Sequence, residues 1–392
     1  MKKRILSLLL AASTLALSAC GAQSASSARS GASASGGDGS PYHLRIAYSP
    51  SLCQAPLHIA VEKGFFEDEG IDAENIQLDA AHVQEAIGAD QVDAGFGLVG
   101  KFLQPLENGL PIKFTAGIHT GCVKIVAPKD SGIQTVAELK GKRIGVSGLA
   151  GAETIVAKRA LSAEGICVDE KNPEVEFVVF SKNDLGQALE NGSIDVISYS
   201  DPIVSQFAEQ YDLNTILDTA TSDGFDKEYC CASFVSSKLA AEHPEVAAAF
   251  TRAVLKASVW VQQHTEDAAQ IQLDKKYVTG DLAFNTKLLQ SYNYLPSVQG
   301  GYDAIKLSVG QLAEIGVLKA GTDAEKFADN CYLFFDDVPD TYTAEEIGAR
   351  SDSNEAPTAP SQTASPASVP TAGGEEDCCT AGSTVPVPIG KA

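Results

Sequence analysis

Four short loops rich in serine and glycine are the part of this sequence whose residue types could bind a small molecule. Each loop follows a predicted strand. Small residues let backbone N–H groups approach a ligand, and the first turn of a helix favours negative charge. The loop that begins at Ser147 leads into a predicted helix near Thr154, so it is the clearest candidate for holding an anion. The four loops span residues 49–54, 97–100, 147–151 and 198–201.

The residues that we expect to contact a ligand come from these loops and from two further segments, one beside a strand end at His119 and one beside a cysteine pair. None of the four loops contains arginine, so backbone N–H groups and hydroxyls would hold any anion. His119 itself, at a predicted strand end, could also contact the ligand. The predicted ligand-binding residues are Ser49, Ser51, Gln54, Gly97, Thr120, Gly121, Ser147, Gly148, Ser200, Asp201 and Tyr229.

Motifs of catalysis and of metal binding are absent from the sequence. It contains no GxSxG, HExxH or Walker A motif, its six histidines are scattered, and His58 lies within a predicted helix. No CxxC spacing indicates a zinc site. We therefore predict no catalytic residue, no metal and no cofactor, and we expect mostly free thiols among the cysteines.

The loops must be positioned by the alternation of strands and helices that runs through the chain. Such alternation predicts a parallel, doubly wound α/β sheet, in which ligands bind at the carboxyl ends of the strands. A long helix is predicted to begin at Pro244, with Val246, Phe250, Val254 and Val261 on one face. The predicted strands are 44–48, 76–78, 92–96, 143–146, 175–180, 195–198 and 234–235, and the other predicted helices are 55–63, 82–87, 135–139, 153–164 and 185–190.

Charge and composition exclude several classes of protein. Lysine plus arginine (29) minus aspartate plus glutamate (51) gives a net charge of −22, and such a surface repels the phosphates of nucleic acids. Hydrophobic residues make up 44% of the chain, close to the globular norm, so a sizeable core can form. The only long apolar run lies at the N-terminus, so a polytopic membrane protein is not expected.

The N-terminal segment has the pattern of an export signal. Three basic residues precede an apolar run from Ile5 to Leu17, which is shorter than the roughly 20 residues of a membrane span. The run ends in Leu17-Ser18-Ala19-Cys20, which resembles a bacterial lipobox. The alternative is an ordinary signal peptide with an incidental cysteine. We predict a signal peptide over 1–19, lipid attachment at Cys20 and a flexible Gly/Ala/Ser tether over 20–41.

The C-terminal segment, residues 341–392, is rich in Pro, Ser, Thr and Ala and has almost no large apolar residues. Such a composition predicts disorder. A cysteine pair within it, Cys378-Cys379, follows three acidic residues and could bind a metal or form a disulfide; an exposed pair without a function is the simpler interpretation.

The order of segments between Leu44 and Asp340 resembles that of ABC transporter solute-binding proteins of the nitrate/sulfonate/taurine family, whose domain is shared with thiamine-pyrimidine synthases. The most specific of the matching segments is LKGKRIGV. The segments that carry the resemblance are Ala55–Leu57, Lys63–Phe66, Glu69–Ile71, Asp93–Gly97, Leu139–Val146 and Ile194–Val196.

The resemblance implies a type II periplasmic-binding-protein-like fold, with two α/β lobes that close on a ligand by hinge bending. Carried over, lobe one is 42–127 plus 229–340 and lobe two is 128–228, with strand-like crossings near 123–127 and 231–235. The implied function is an extracytoplasmic, lipid-anchored, monomeric protein that captures a sulfonate, taurine or nitrate and delivers it to the permease subunits of an importer.

The Cys230-Cys231 pair is a departure from the usual nitrate and sulfonate binders. It resembles a longer cysteine cluster of the eukaryotic-type pyrimidine synthases, so a thiamine-precursor pyrimidine is an alternative ligand. A synthase-type enzyme is a second alternative, which would need pyridoxal phosphate on a lysine and a reactive histidine in the cleft. The cysteines could also simply be small residues that pack well. An adhesion or structural lipoprotein is a third class, against which the four ligand loops argue.

Overall fold

The computed structural model describes residues 40–169 and 171–348 as an α/β protein. The predicted signal peptide, the predicted tether up to residue 39 with Cys20, and residues 349–392 with the Cys378-Cys379 pair lie outside the described residues. The strands are β1 (Tyr42–Tyr48), β2 (Ile71–Gln77), β3 (Ala94–Leu98), β4 (Ile112–His119), β5 (Val123–Pro128), β6 (Arg143–Val146), β7 (Glu176–Val179), β8 (Val196–Ser200), β9 (Leu213–Asp218) and β10 (Cys231–Ser236). The α-helices are α1 (Ala55–Glu62), α2 (Phe65–Asp68), α3 (Val83–Gly88), α4 (Val99–Glu107), α5 (Ala152–Ala163), α6 (Leu185–Glu190), α7 (Ile203–Gln210), α8 (Ser237–Glu242), α9 (Pro244–Gln263), α10 (Thr265–Asp274), α11 (Leu282–Ser291), α12 (Val298–Glu314), α13 (Ala324–Cys331) and α14 (Ala344–Ile347); short 3₁₀ helices lie at Leu52–Gln54, Lys129–Ser131 and Val136–Leu139.

The strands form two five-stranded sheets with the same plan. The first sheet has the order β2-β1-β3-β10-β4 and the second has the order β7-β6-β8-β5-β9. In each sheet four strands run in the same direction and one runs antiparallel between its two neighbours, β10 in the first sheet and β5 in the second. We call each sheet with its helices a lobe. The predicted α/β fold with two lobes is confirmed.

Apolar side chains explain why these elements form where they do. Every residue of β10 is buried, as expected for a strand covered on both faces. Helix α9 begins with a proline at its first turn, where the missing N–H has no helical partner to lose, and its predicted apolar face is completely buried. The only tryptophan, Trp260, lies in the same helix and is 1% exposed, so α9 is a central helix of the first lobe.

The chain changes sheets earlier than the sequence suggests. Strand β4 of the first sheet ends at His119 and β5 of the second sheet begins at Val123, so the first crossing is the short segment 120–122. There Gly121 has φ +78° and Cys122 has φ +117°, which turn the backbone sharply. The return crossing lies between Asp218, at the end of β9, and Cys231, at the start of β10. The segments 123–127 and 231–235 are thus hydrogen-bonded members of the two sheets, and residues 123–127 pair in the second sheet rather than in the first.

The ordered C-terminal part extends further than the composition predicts. Residues 341–348 pack on the first lobe, where helix α14 contacts α9 and Ile347 is buried. The Tyr342 ring lies 5.2 Å from Lys256 Nζ. The prediction of disorder is therefore wrong for these eight residues, because a single buried isoleucine and a tyrosine are enough to hold one short turn. Within the described part of the chain, no helix is both long and apolar enough to span a bilayer.

Candidate ligand-binding cleft

The two lobes meet where helices α4 and α5 begin, just beyond the ends of β3 and β6. Gly100 of α4 faces Ile155 of α5, and a Cβ atom added to Gly100 would lie 3.2 Å from Ile155 Cγ2. A cavity at this junction is lined by both lobes and by the return crossing; its walls include Leu98, Val99, Ala152, Val156, Tyr229 and Cys230. The end of β3 and the first turns of α4 and α5 therefore border a cleft between the lobes.

Four of the predicted ligand residues belong to the first lobe, and none of them lines this cavity. Ser49 and Ser51 are half-buried. Gln54 is buried, and its Nε2 donates to the Phe96 carbonyl at 3.2 Å, while its Oε1 has no partner among the described residues. Gly97 packs against the Phe102 ring, so a side chain there would displace the ring.

The second lobe contains the predicted residues Ser147, Gly148, Ser200 and Asp201, which also lie outside the lining of this cavity. Ser147 is exposed, and no atom would lie within 4 Å of a Cβ added to Gly148, so this loop is open. The Ser200 hydroxyl donates to Glu153 Oε1 at 2.9 Å. Asp201 is buried and accepts a hydrogen bond from Lys124 Nζ at 2.7 Å, so its charge is neutralised within the protein rather than offered to a ligand.

The predicted residues of the crossings have different surroundings. Thr120 is buried and its hydroxyl has no partner among the described residues. Gly121 is also buried and lies against Ala220, so it serves the turn. The Tyr229 hydroxyl donates to the Leu295 carbonyl at 2.6 Å, and its ring packs over Gly117, so only part of Tyr229 lines the cavity.

The same junction contains charged side chains that the sequence analysis did not predict. Lys101, in the first turn of α4, is half-buried; burial lowers its pKa, and the charges of Glu153 and Asp79 raise it in part. Burial raises the pKa of Tyr199 to about 12, with the Glu153 charge adding to the effect and a hydrogen bond with Ser147 opposing it. The first lobe thus contributes an ammonium group and the second lobe a carboxylate. Nothing in the spacing of Lys101 or Glu153 marks them, because a lysine or glutamate in a first helical turn is common.

Glu153 changes the interpretation of the predicted anion-binding loop. It is buried in the first turn of α5, and a Cβ added to Gly151 would lie 3.1 Å from its Oε2. A carboxylate there interacts favourably with the positive end of the helix. The chain therefore supplies its own negative charge at the site where the sequence predicts a bound anion, and this loop favours a ligand that also carries hydrogen-bond donors.

A group of buried aromatic and polar side chains lies behind the first wall, and we call it the inner cluster. The His119 ring centroid lies 5.7 Å from that of Tyr292 and 5.1 Å from that of Tyr294. Among the described residues, His119 Nε2, both tyrosine hydroxyls and the Thr120 hydroxyl have no hydrogen-bond partner. An unsatisfied buried polar group costs about 1–3 kcal/mol, so such a concentration indicates a place that binds polar molecules. Sequence reasoning considered His119 but missed both tyrosines, which come from a distant loop.

Comparisons with known proteins agree with this architecture. A family model described as "NMT1/THI5 like" matches residues 53–268. The chain is 30% identical over 249 residues to a putative aliphatic sulfonates-binding protein of Bacillus subtilis (strain 168), covering 60% of this chain and 71% of that protein. It is 25% identical over 237 residues to a 4-amino-5-hydroxymethyl-2-methylpyrimidine phosphate synthase of Aspergillus parasiticus, covering 58% and 68%.

Solved structures with the same fold include two periplasmic binding proteins. The nitrate-binding protein NrtA from Synechocystis PCC 6803 has a TM-score of 0.62 at 14% identity, covering 74% of this chain and 86% of that one. The aliphatic sulphonate binding protein SsuA from Escherichia coli also has a TM-score of 0.62 at 14% identity, covering 81% and 99%. Because the family model spans more than half of the sequence and the lobes have the periplasmic-binding-protein arrangement, this chain belongs to the NMT1/THI5-like family.

Proposed function

We propose that this protein is the extracytoplasmic solute-binding component of an ABC importer and that it captures a small organic ligand between its lobes. The observation that carries the proposal is the junction at Gly100 and Ile155, where the helices that follow β3 of one sheet and β6 of the other meet. Binding by closure of two lobes needs such paired walls joined by short crossings. The sulfonate-binding relative and the shared fold support the same function.

The charges of the cleft favour a ligand with both an anionic and an amino group. Lys101 is the cationic side chain of the first wall, and Glu153 with Ser200 forms an acidic surface on the second. A simple nitrate or alkanesulfonate would use Lys101 and the backbone N–H groups alone. Taurine, a sulfonate with an ammonium group, would use both walls, so we place it first among the sulfonate, taurine and nitrate ligands.

Thermal unfolding of the protein with a ligand panel tests this proposal. The panel contains taurine, alkanesulfonates, nitrate and thiamine-related aminopyrimidines. A ligand at 100 times its dissociation constant stabilises the folded state by about 2.7 kcal/mol, which raises the melting temperature by several degrees. We expect taurine to give the largest shift, and Lys101→Met to reduce it while the exposed control Lys326→Met leaves it unchanged. If no member of the panel changes the melting temperature, the ligand class is wrong.

The second candidate is a binder of a thiamine-precursor pyrimidine, or less favourably an enzyme of the pyrimidine-synthase type. The observation behind it is the inner cluster, where His119 and two tyrosines present ring faces and unpartnered polar atoms that suit a heteroaromatic ring. A melting shift with aminopyrimidines but not with taurine would favour this ligand. Formation of a pyrimidine product by the isolated protein, or pyridoxal phosphate that copurifies with it, would favour the enzyme.

We also propose that Cys20 is the lipid-modified residue that holds the protein at the membrane beside its permease. The Leu17-Ser18-Ala19-Cys20 sequence and the tether that follows motivate this proposal. Cell fractionation tests it, because Cys20→Ala should release the protein from the membrane fraction. Cys53→Ala, in a cysteine of the folded part, is the control and should stay with the membranes. Full membrane retention of Cys20→Ala would contradict lipid attachment at this residue.

A further inference from the structure

Four cysteines and one histidine that are far apart in the sequence meet where the chain crosses between the lobes, and we call them the thiol cluster. Cys53 follows β1, Cys122 lies on the first crossing, Cys230 ends the return crossing, and Cys231 begins β10. His119 ends β4 beside them. Cys53, Cys122, Cys231 and His119 are at least nine-tenths buried, while Cys230 is half-buried. All six cysteines that the structure describes are free thiols.

The distances within the thiol cluster match those between ligands of a tetrahedral metal ion. The Sγ atoms of Cys122 and Cys230 are 3.5 Å apart, and Cys230 Sγ lies 3.7 Å from His119 Nδ1. Zinc binds sulfur at about 2.3 Å and nitrogen at about 2.1 Å in a tetrahedron, which separates neighbouring ligand atoms by about 3.6–3.8 Å. The ligand atoms of His119, Cys230 and Cys231 all lie within 4.8 Å of one another, as do those of Cys53, Cys122 and Cys231. Cys231 belongs to both groups, whereas His119 and Cys122 belong to different ones, so these two side chains would have to move closer to share one ion.

We propose that Cys122, Cys230, Cys231 and His119 bind one thiophilic divalent cation, for which Zn²⁺ is the probe. Cys53 lies beside the ion as an alternative ligand. Borderline-soft ions of this kind prefer sulfur and imidazole nitrogen to oxygen ligands. The ligands come from both crossings, so the bound ion would fix the two crossings relative to each other and stiffen the hinge between the lobes. No spacing in the sequence reveals such a site, because its ligands come from distant segments.

Zinc titration of the reduced, metal-stripped full-length protein tests this proposal. We expect one equivalent of Zn²⁺ per chain, a melting temperature raised by several degrees, and, when Co²⁺ replaces Zn²⁺, the thiolate charge-transfer and intense visible absorption of tetrahedral cobalt. Cys122→Ser and Cys231→Ser should each weaken Zn²⁺ binding at least tenfold. The matched control is Cys331→Ser, a buried cysteine at the end of α13, which should leave the affinity unchanged.

Two results would overturn the proposal. The first is the absence of zinc binding and of the cobalt spectrum in the unsubstituted protein when all its thiols react with a thiol reagent. The second is a disulfide between Cys122 and Cys230. After purification from the cell envelope without reductant, the protein would then have a mass lower by two hydrogen atoms, and a peptide map would join these two cysteines. Both measurements use the unsubstituted chain, so they decide the question even if a variant fails to fold.

Discussion

His58 shows how burial controls a single titratable side chain in this protein. It lies in α1, fully buried, with its ring stacked on that of Tyr277 at a centroid distance of 4.0 Å. Gln272 Nε2 lies 2.9 Å from His58 Nδ1 and donates to it if the ring is neutral with its proton on Nε2. Burial lowers the pKa of His58 from 6.5 to about 3. The folded protein therefore keeps this ring neutral while the unfolded chain protonates it.

The free energy of unfolding should depend on pH because the pKa of His58 differs between the folded and the unfolded protein. Because its folded-state pKa is depressed, its contribution to the free energy of unfolding is complete above about pH 6.5 and is lost as pH falls towards 3, by up to about 1.4 kcal/mol per pH unit. Urea unfolding at pH 7.5, 6.0 and 5.0 measures this slope. His58→Gln should be less stable but flatter with pH, whereas His82→Gln, at an exposed position, should keep the parent slope. An equal slope in His58→Gln would contradict the buried neutral ring.

At the scale of residues, sequence reasoning located side chains that follow strands but not those that come from elsewhere. Ser147, Gly148 and Ser200 follow strands of the second sheet, and we predict that they lie near the ligand because the ends of parallel strands meet at one edge of a sheet. Lys101 and Glu153 were missed because their neighbours in the sequence look like ordinary first helical turns. Tyr292 and Tyr294 follow α11, and only the tertiary fold brings them to His119.

Strand β6 and the loop that follows it contain two glycines with opposite roles, Gly145 and Gly148. A Cβ added to Gly145, within β6, would lie 2.2 Å from Ile194 Cδ1 and 3.0 Å from Leu185 Cδ2. Both of these side chains are buried, so Gly145 is needed for packing of the second lobe. Three residues later, Gly148 has open space around it, and we predict that it lies beside the bound ligand.

Substitutions at these two glycines should separate folding from binding. Gly148→Leu should keep the parent melting temperature within about 2 °C and abolish the ligand-induced shift, because its side chain fills the cleft. Gly145→Ala should lower the free energy of unfolding by about 1–3 kcal/mol, the usual cost of overpacking. Thermal unfolding with and without the best ligand of the panel measures both effects. Normal ligand binding by Gly148→Leu would show that the cleft lies elsewhere.

At the scale of elements, the alternation of strands and helices predicted the parallel strands of both sheets. It did not predict that β5 and β10 run antiparallel to their neighbours, because hydropathy does not record strand direction. Strands β4 and β9 were missed as well. The predicted helix at 135–139 is a 3₁₀ turn over Val136–Leu139, capped by reciprocal hydrogen bonds between Thr135 and Glu138.

Contacts between the lobes involve more than the walls of the cleft. Arg159 of α5 donates from Nε to Gln311 Oε1 of α12 at 2.5 Å and forms an ion pair with Glu228 of the return crossing. Ser308 of α12 also donates to Glu228. Helix α12 packs on β4 of the first lobe, so these buried polar contacts connect the two lobes in the conformation described.

Truncation of the chain should show where the folded unit ends. A chain that ends at Gly348 should melt within about 2 °C of the full-length protein. A chain that ends at Asp340 should melt several degrees lower, because it loses the burial of Ile347 and the contact of Tyr342 with Lys256. Burial of one isoleucine is worth about 1.5–3 kcal/mol. Equal melting temperatures for the two truncated chains would show that α14 adds nothing to stability.

Closure of the two lobes around a ligand is the central claim, and small-angle X-ray scattering of the chain from Ser40 to Gly348 measures it most directly. With saturating taurine, or another panel compound that raises the melting temperature, the scattering curve should match the structure described here, in which Gly100 faces Ile155. Without ligand, the radius of gyration should be larger, and Gly148→Leu should stay at the larger value when the compound is added. Identical curves with and without a compound that binds would contradict a mechanism of capture by lobe closure.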